Sequence, residues 1–194
     1  MPAMTDPYVS RDLREISTGT RIFSGAILHA DLVGFTGLAE RLGSHGRPGT
    51  EQLTGILNSS LDAILRPIQA ADGVVLYFAG DSVTARLPDS ESASACAAEI
   101  HCNLKGLGPV RTLEGEIRPR ATVSIGIGRW GETVLSSGGS SHLLLSGPLV
   151  SRLADLERQP AGPDGTTPVR LFIPPVISGP TCAPPGEKSQ ESPE

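Results

Sequence analysis

The sequence predicts an α+β domain, on three observations: apolar runs that end at glycine turns, one long amphipathic helix between two such runs, and a tight hairpin followed by further helix and strand patterns. The first run, residues 22–33, is short and apolar and stops at Gly34-Phe-Thr, which reads as a buried strand turning abruptly at a glycine. Asp31 lies at its C-terminal end. Residues 50–65 then set Leu53, Ile56, Leu57, Leu61, Ile64 and Leu65 at helical spacing, with Gly49 and Thr50 as start signals. Residues 73–87 hold two β-rich runs around Ala79-Gly80-Asp81-Ser82, a hairpin that puts a second acid on a turn. Residues 90–107 are Ala-rich and helical, and 121–127 alternate as a strand. Thr133-Val-Leu-Ser and His142-Leu-Leu-Leu-Ser suggest two more strands, 149–157 a last helix, and 169–173 a late strand stopped by prolines. No internal repeat interrupts this order.

With 194 residues and 38% hydrophobic side chains the chain can bury one core of ordinary size, which predicts one domain with tails. The expected division is a polar N-terminal segment over 1–21, a folded domain over 22–177 and a disordered Pro-rich tail over 178–194. More than half of the 17 prolines fall after residue 158. The net charge of −5, with no run of Lys or Arg, argues against nucleic acid or an anionic membrane surface as partner. No apolar stretch approaches the roughly 20 residues of a membrane span, and residues 1–20 lack a signal pattern, so a cytoplasmic location is expected. Cys96 and Cys102, six apart on a helix, face different ways and read with Cys182 as buried thiols rather than a disulfide or zinc site.

The chemistry starts with Asp31 and Asp81, each within three residues of a glycine and each at the end of an apolar strand. Adjacent strands would bring two carboxylates to one sheet edge, where they repel unless a cation joins them. Hard oxygen ligands with open positions suit Mg²⁺ or Mn²⁺ carrying substrate phosphates. The Leu32-Val-Gly-Phe-Thr36 turn, opening a helix, offers backbone N–H groups to a polyphosphate. The same aspartates could instead cap a helix and form a hairpin turn, roles Asp often fills. His29 and His142 read as core or edge histidines, and Trp130 as a packing residue.

Ala30-Asp-Leu-Val-Gly-Phe-Thr-Gly-Leu-Ala-Glu40 and Phe78-Ala-Gly-Asp-Ser-Val83 resemble the two metal-binding signatures of class III adenylyl and guanylyl cyclases. Residues 49–58, 72–81 and 141–147 are similar to the first catalytic domain of soluble, bicarbonate-responsive adenylyl cyclases, and the resemblance spans about residues 22–156. It implies a ferredoxin-like cyclase core, an antiparallel-rich sheet with helices packed on it. It also implies conversion of ATP, with GTP possible, into cyclic nucleotide and pyrophosphate at a dimer interface. Asp31, Asp81 and the backbone carbonyl of Leu32 would ligate two Mg²⁺ or Mn²⁺ ions, and Gly34, Phe35 and Thr36 would cradle the triphosphate.

The second set of family residues is altered. Tyr77 stands where the base-reading Lys is expected and Leu144 where the base-reading Asp is expected. Ser151 and Asp155 replace the Asn and Arg of the final helix. Arg152, displaced by three positions from Asp155, and Arg120, on one strand face with residues 122 and 124, are the candidate catalytic cations; solvated surface arginines are the plain alternative. A homodimer would lack partner groups, so the resemblance implies a heterodimer with a complementary cyclase domain. The competing expectation is a silent pseudo-cyclase that binds metal-nucleotide or regulates a partner.

Overall fold

The computed structural model describes residues 19–137, 140–157 and 169–172. Its strands are β1 (Gly19–Leu32), β2 (Val74–Ala79), β3 (Ser82–Leu87), β4 (Val110–Thr112), β5 (Gly115–Ile117), β6 (Ala121–Ser137), β7 (Ser140–Ser146) and β8 (Val169–Phe172). Its helices are α1 (Phe35–Gly43), α2 (Arg47–Ala70), α3 (Ser90–Gly106) and α4 (Pro148–Glu157). The main sheet runs β2-β3-β1-β6-β7 with β8 parallel to β6, and β4-β5 form a separate small hairpin. Antiparallel pairing dominates, and the expected α+β architecture holds.

Residues alternate between the two faces of β1, and each Cα partner in the ladder shares its neighbour's face. Ala26, Leu28, Ala30 and Leu32 face one way and form the main core with Ile64 and Ile68 of α2 and Ala97 and Ile100 of α3. Each fully buried aliphatic chain there contributes about 1.5–3 kcal/mol of burial. Ile27 faces the other way and packs with Trp130 under Leu149 and Leu153 of α4. Gly126 is what lets α4 approach, since a Cβ there would lie 2.7 Å from Leu149 Cδ1. His29 and Asp31 continue along this second face toward the C-terminal end of β1.

Three sequence expectations are corrected. The strands expected at 121–127 and 133–136 are one continuous β6, because β1 pairs with it residue for residue from Gly19↔Val134 to Leu32↔Ala121; that ladder overrides the glycines between them. The long helix starts at Arg47 rather than at Gly49-Thr50: Gly46 precedes it with φ 66°, and Pro48 occupies the first turn. Gly49 lies inside that turn, where a Cβ would meet the Leu42 carbonyl oxygen. Arg120 immediately precedes β6, and its carbonyl accepts from the Val33 N–H beside the Leu32↔Ala121 pair. Of the cysteines, Cys96 is buried but Cys102 is exposed; Cys182 lies outside the described residues.

The hairpin around Gly80-Asp81, the 90–107 helix, the last helix and the late strand form where expected, within a residue or two. The β4-β5 hairpin was not anticipated. The expected tail over 178–194 and most of the N-terminal segment lie outside the described residues. Among the described residues no helix is long and apolar enough to cross a membrane.

Candidate metal and nucleotide site

Asp31 is the penultimate residue of β1, directly across from Ser82, the first residue of β3, and from Thr122 of β6. Asp81 immediately precedes Ser82 in the two-residue link of the β2-β3 hairpin, where Gly80 takes φ 64°. The antiparallel register therefore brings the two acids of the two motifs to one end of the sheet. Ser82 is fastened there by its Oγ, which donates to the Ala79 carbonyl at 3.0 Å. Behind Asp31, His29 Nδ1 and Thr84 Oγ1 share a hydrogen bond of 2.8 Å, so the imidazole is a satisfied buried group. His142 is an exposed residue of β7. Trp130 is buried and donates its indole N–H to Glu132 Oε1 at 2.9 Å, as packing with a polar handle.

The chain leaves β1 through Leu32 and Val33. The Val33 N–H donates to the Arg120 carbonyl at 2.8 Å, which ties the turn to the segment entering β6. Gly34 then takes φ 73°, a left-handed conformation glycine adopts without a Cβ penalty, and stands as N-cap of α1. Among the described residues no side chain caps this helix start, and its first N–H groups are placed to receive an anion. Phe35 is half-buried against the core while Gly34 and Thr36 are exposed.

A cleft of about 290 Å³ opens beside the turn, between α1, α2 and residues 117–120, and Arg120 lines it together with Val33 and Gly34. Asp31 and Asp81 do not line it. Arg152 lies on α4, exposed, with Nη1 4.0 Å from Asp155 Oδ2. That contact agrees with their expected common helix face. Tyr77 on β2 and Leu144 on β7 are 41% and 53% exposed, so both present large side chains at the surface.

Two carboxylates and a turn with open N–H groups fit a metal-nucleotide. Mg²⁺ is ordinarily held through one or two carboxylates plus substrate phosphates, and keeps water in its other positions. Among the described residues no cluster of three or more His, Cys, Asp or Glu side chains able to hold an ion forms.

The comparisons with known proteins bear on the fold. The chain is 30% identical over 134 residues to human adenylate cyclase type 10, covering 66% of this chain and 8% of that protein. It is 25% identical over 153 residues to the rat adenylate cyclase type 10, covering 76% of this chain and 10% of that protein. The structure superposes on a bacterial light-regulated adenylyl cyclase with TM-score 0.58 and 22% identity, over 73% of this chain and 41% of that one. The fold is that of a class III nucleotidyl cyclase catalytic domain. The guanylyl cyclase Cya2 shares the cyclase fold with TM-score 0.55 at 20% identity, over 73% of this chain and 72% of that one. So does a class III adenylyl cyclase-like ATP-binding protein from Pseudomonas aeruginosa, with TM-score 0.59 at 19% identity, over 78% of this chain and 34% of that one. No protein-family model matches the chain. The chain is homologous to adenylate cyclase type 10 and spans about a tenth or less of the length of these curated relatives.

Two features of the cyclase fold in this chain escaped sequence reading. The first is a buried network in which Arg86 Nη1 donates to Glu132 Oε2 at 3.2 Å, beside the Trp130 bond to the same carboxylate. An acid inside an alternating β run was the available signal. The second is the cleft, whose residues come from α1, α2 and the 117–120 segment and carry no common motif.

Proposed function

We propose that this chain is the metal-bearing half of a class III nucleotidyl cyclase, forming cyclic AMP and pyrophosphate from ATP at an interface with a complementary domain. The observation that carries the reading is the Asp31–Ser82 register, which sets the acids of both motifs at one end of the sheet. In this reading Asp31, Asp81 and the Leu32 carbonyl hold two Mg²⁺ or Mn²⁺ ions. When bound, the ions supply Lewis-acid chemistry, lowering the pKa of the ribose 3′-hydroxyl and screening the triphosphate. The α1 N-terminus at Gly34, Phe35 and Thr36 receives phosphate oxygens, and the turn is held in place through Val33 and Arg120. The ribose 3′-oxygen attacks the α-phosphorus, the α–β phosphoanhydride bond breaks, and pyrophosphate leaves. Arg120 and Arg152 are the cations of this chain assigned to the developing charge. The protein contributes position and electrostatics rather than a covalent intermediate.

Two substituted positions favour a second reading, a binding module without turnover. Tyr77 and Leu144, both exposed, replace the two base readers that the family resemblance implies. The fold shared with an adenylyl cyclase-like ATP-binding protein is in keeping with it.

Cyclic AMP and cyclic GMP formation by the purified chain, with Mn²⁺ and either ATP or GTP, separates the two. Product that disappears in Asp31→Ala means the chain completes a site of its own. Absent product with Asp31-dependent nucleotide binding means a half-site or a binding module, and addition of a complementary domain that restores turnover selects the half-site.

A further inference from the structure

The cleft beside the turn has a character of its own. Leu38, Ile56 and Ile117 give it aliphatic patches, and three arginines, Arg41, Arg118 and Arg120, line it with no carboxylate among the lining residues. Arg41 Nε lies 3.7 Å from Glu114 and Arg118 Nη2 lies 3.6 Å from Glu116, long contacts in which both arginine side chains remain more than half exposed. Such exposed pairs are weak and leave N–H donors for another anion. Ser60 also lines the cleft, fully buried, and its Oγ has no hydrogen-bond partner among the described residues. A buried hydroxyl without a partner is unfavourable, and a polar atom of an occupant relieves it. At about 30 Å³ per water-sized unit, 290 Å³ has room for roughly ten such units, a small organic molecule rather than a nucleotide.

We propose that this cleft, which borders the proposed nucleotide site and shares Leu32, Gly34, Phe35 and Arg120 with it, takes a short amphipathic carboxylate, its apolar body against Leu38, Ile56 and Ile117 and its carboxylate at Arg41 and Arg118. The turn residues Leu32, Val33, Gly34 and Phe35 line the cleft while Asp31 and Asp81 do not, and the Val33–Arg120 hydrogen bond belongs to both sites. Occupancy therefore shifts the turn. The inference stands apart from the cyclase reading, because its test contains neither metal nor nucleotide.

The test is a titration of the full chain with hexanoate, followed by amide NMR and calorimetry, beside 1-hexanol and the double variant Arg41→Ala/Arg118→Ala. Both arginines are well exposed, so the double variant is expected to fold, and its amide spectrum checks that it does. The expected result is saturable binding of hexanoate with shifts at Leu38, Ser60, Ile117 and Gly34, at least tenfold weaker binding of hexanol, and at least tenfold loss in the double variant. Equal binding of hexanol, undiminished affinity in the double variant, or no saturable binding of hexanoate would overturn it.

Discussion

Asp31 pairs across the β1-β3 ladder with Ser82, so the acid of the first motif and the residue next to the acid of the second are nearest neighbours between strands. Like charges brought together at one sheet end are unfavourable without a cation. Asp81→Asn should therefore raise metal-free stability by about 0.5 kcal/mol in urea unfolding. It should also abolish the rise in melting temperature that Mn²⁺ gives the parent chain. A variant that keeps the full Mn²⁺ response would remove Asp81 from the metal set.

Glu132 is buried on β6 and joins Arg86 of β3 to Trp130, while Arg86 also stacks over the Phe23 ring, 4.2 Å from its centroid. Removing one partner of such a network strands the others. Glu132→Ala is predicted to cost about 3 kcal/mol in chemical denaturation, and Glu132→Gln, which retains an acceptor for Trp130, clearly less. Equal losses for both would mean that volume, not the polar network, matters there.

The Cys96 thiol is pushed up to about 12, chiefly by burial and secondarily by the nearby Glu99 carboxylate, whereas Cys102 is exposed. The thiolate is the reactive species. With Cys182 replaced by Ser, iodoacetamide at pH 8 should modify Cys102 rapidly and Cys96 only in denaturant, as intact mass will show. Fast modification of Cys96 in the native protein would contradict its place in the core.

His101 on α3 has a pKa lowered by burial, and its Nε2 makes no hydrogen bond among the described residues. The folded state thus disfavours the charged imidazole. The unfolded chain binds a proton near pH 6.5 while the folded chain does not, so stability is highest above that value and falls as pH drops through it. Denaturation at pH 7.5 and 5.5 should show this decline, and His101→Gln should flatten it. An identical pH profile in the variant would assign the decline to other groups.

The strands and helices that bury one face were readable in the sequence because their apolar spacing is dictated by the core they share. Leu53 to Leu65 on α2 and the run into Asp31 are examples. Where pairing overrules local signals, reading failed. The glycines of β6 look like strand ends, yet its ladder to β1 continues through Gly126, Gly128 and Gly131. The two acids were legible as a pair because each lies within three residues of a glycine at the end of an apolar strand, and the register then supplied their adjacency. The cleft was not legible, since Ser60, Arg41 and Arg118 meet only after α1, α2 and the 117–120 segment converge. Arg120 was visible as a cation, but its backbone link to Val33 depends on the fold.

The most direct test of the central claim is calorimetric titration of the purified chain with ATP in Mn²⁺, alongside Asp31→Ala, Asp81→Ala and the control Asp155→Ala. The account predicts Mn²⁺-dependent binding that falls at least tenfold in the first two variants and is kept in the control. Equal affinity in all four proteins, or no binding by the parent chain, would contradict it.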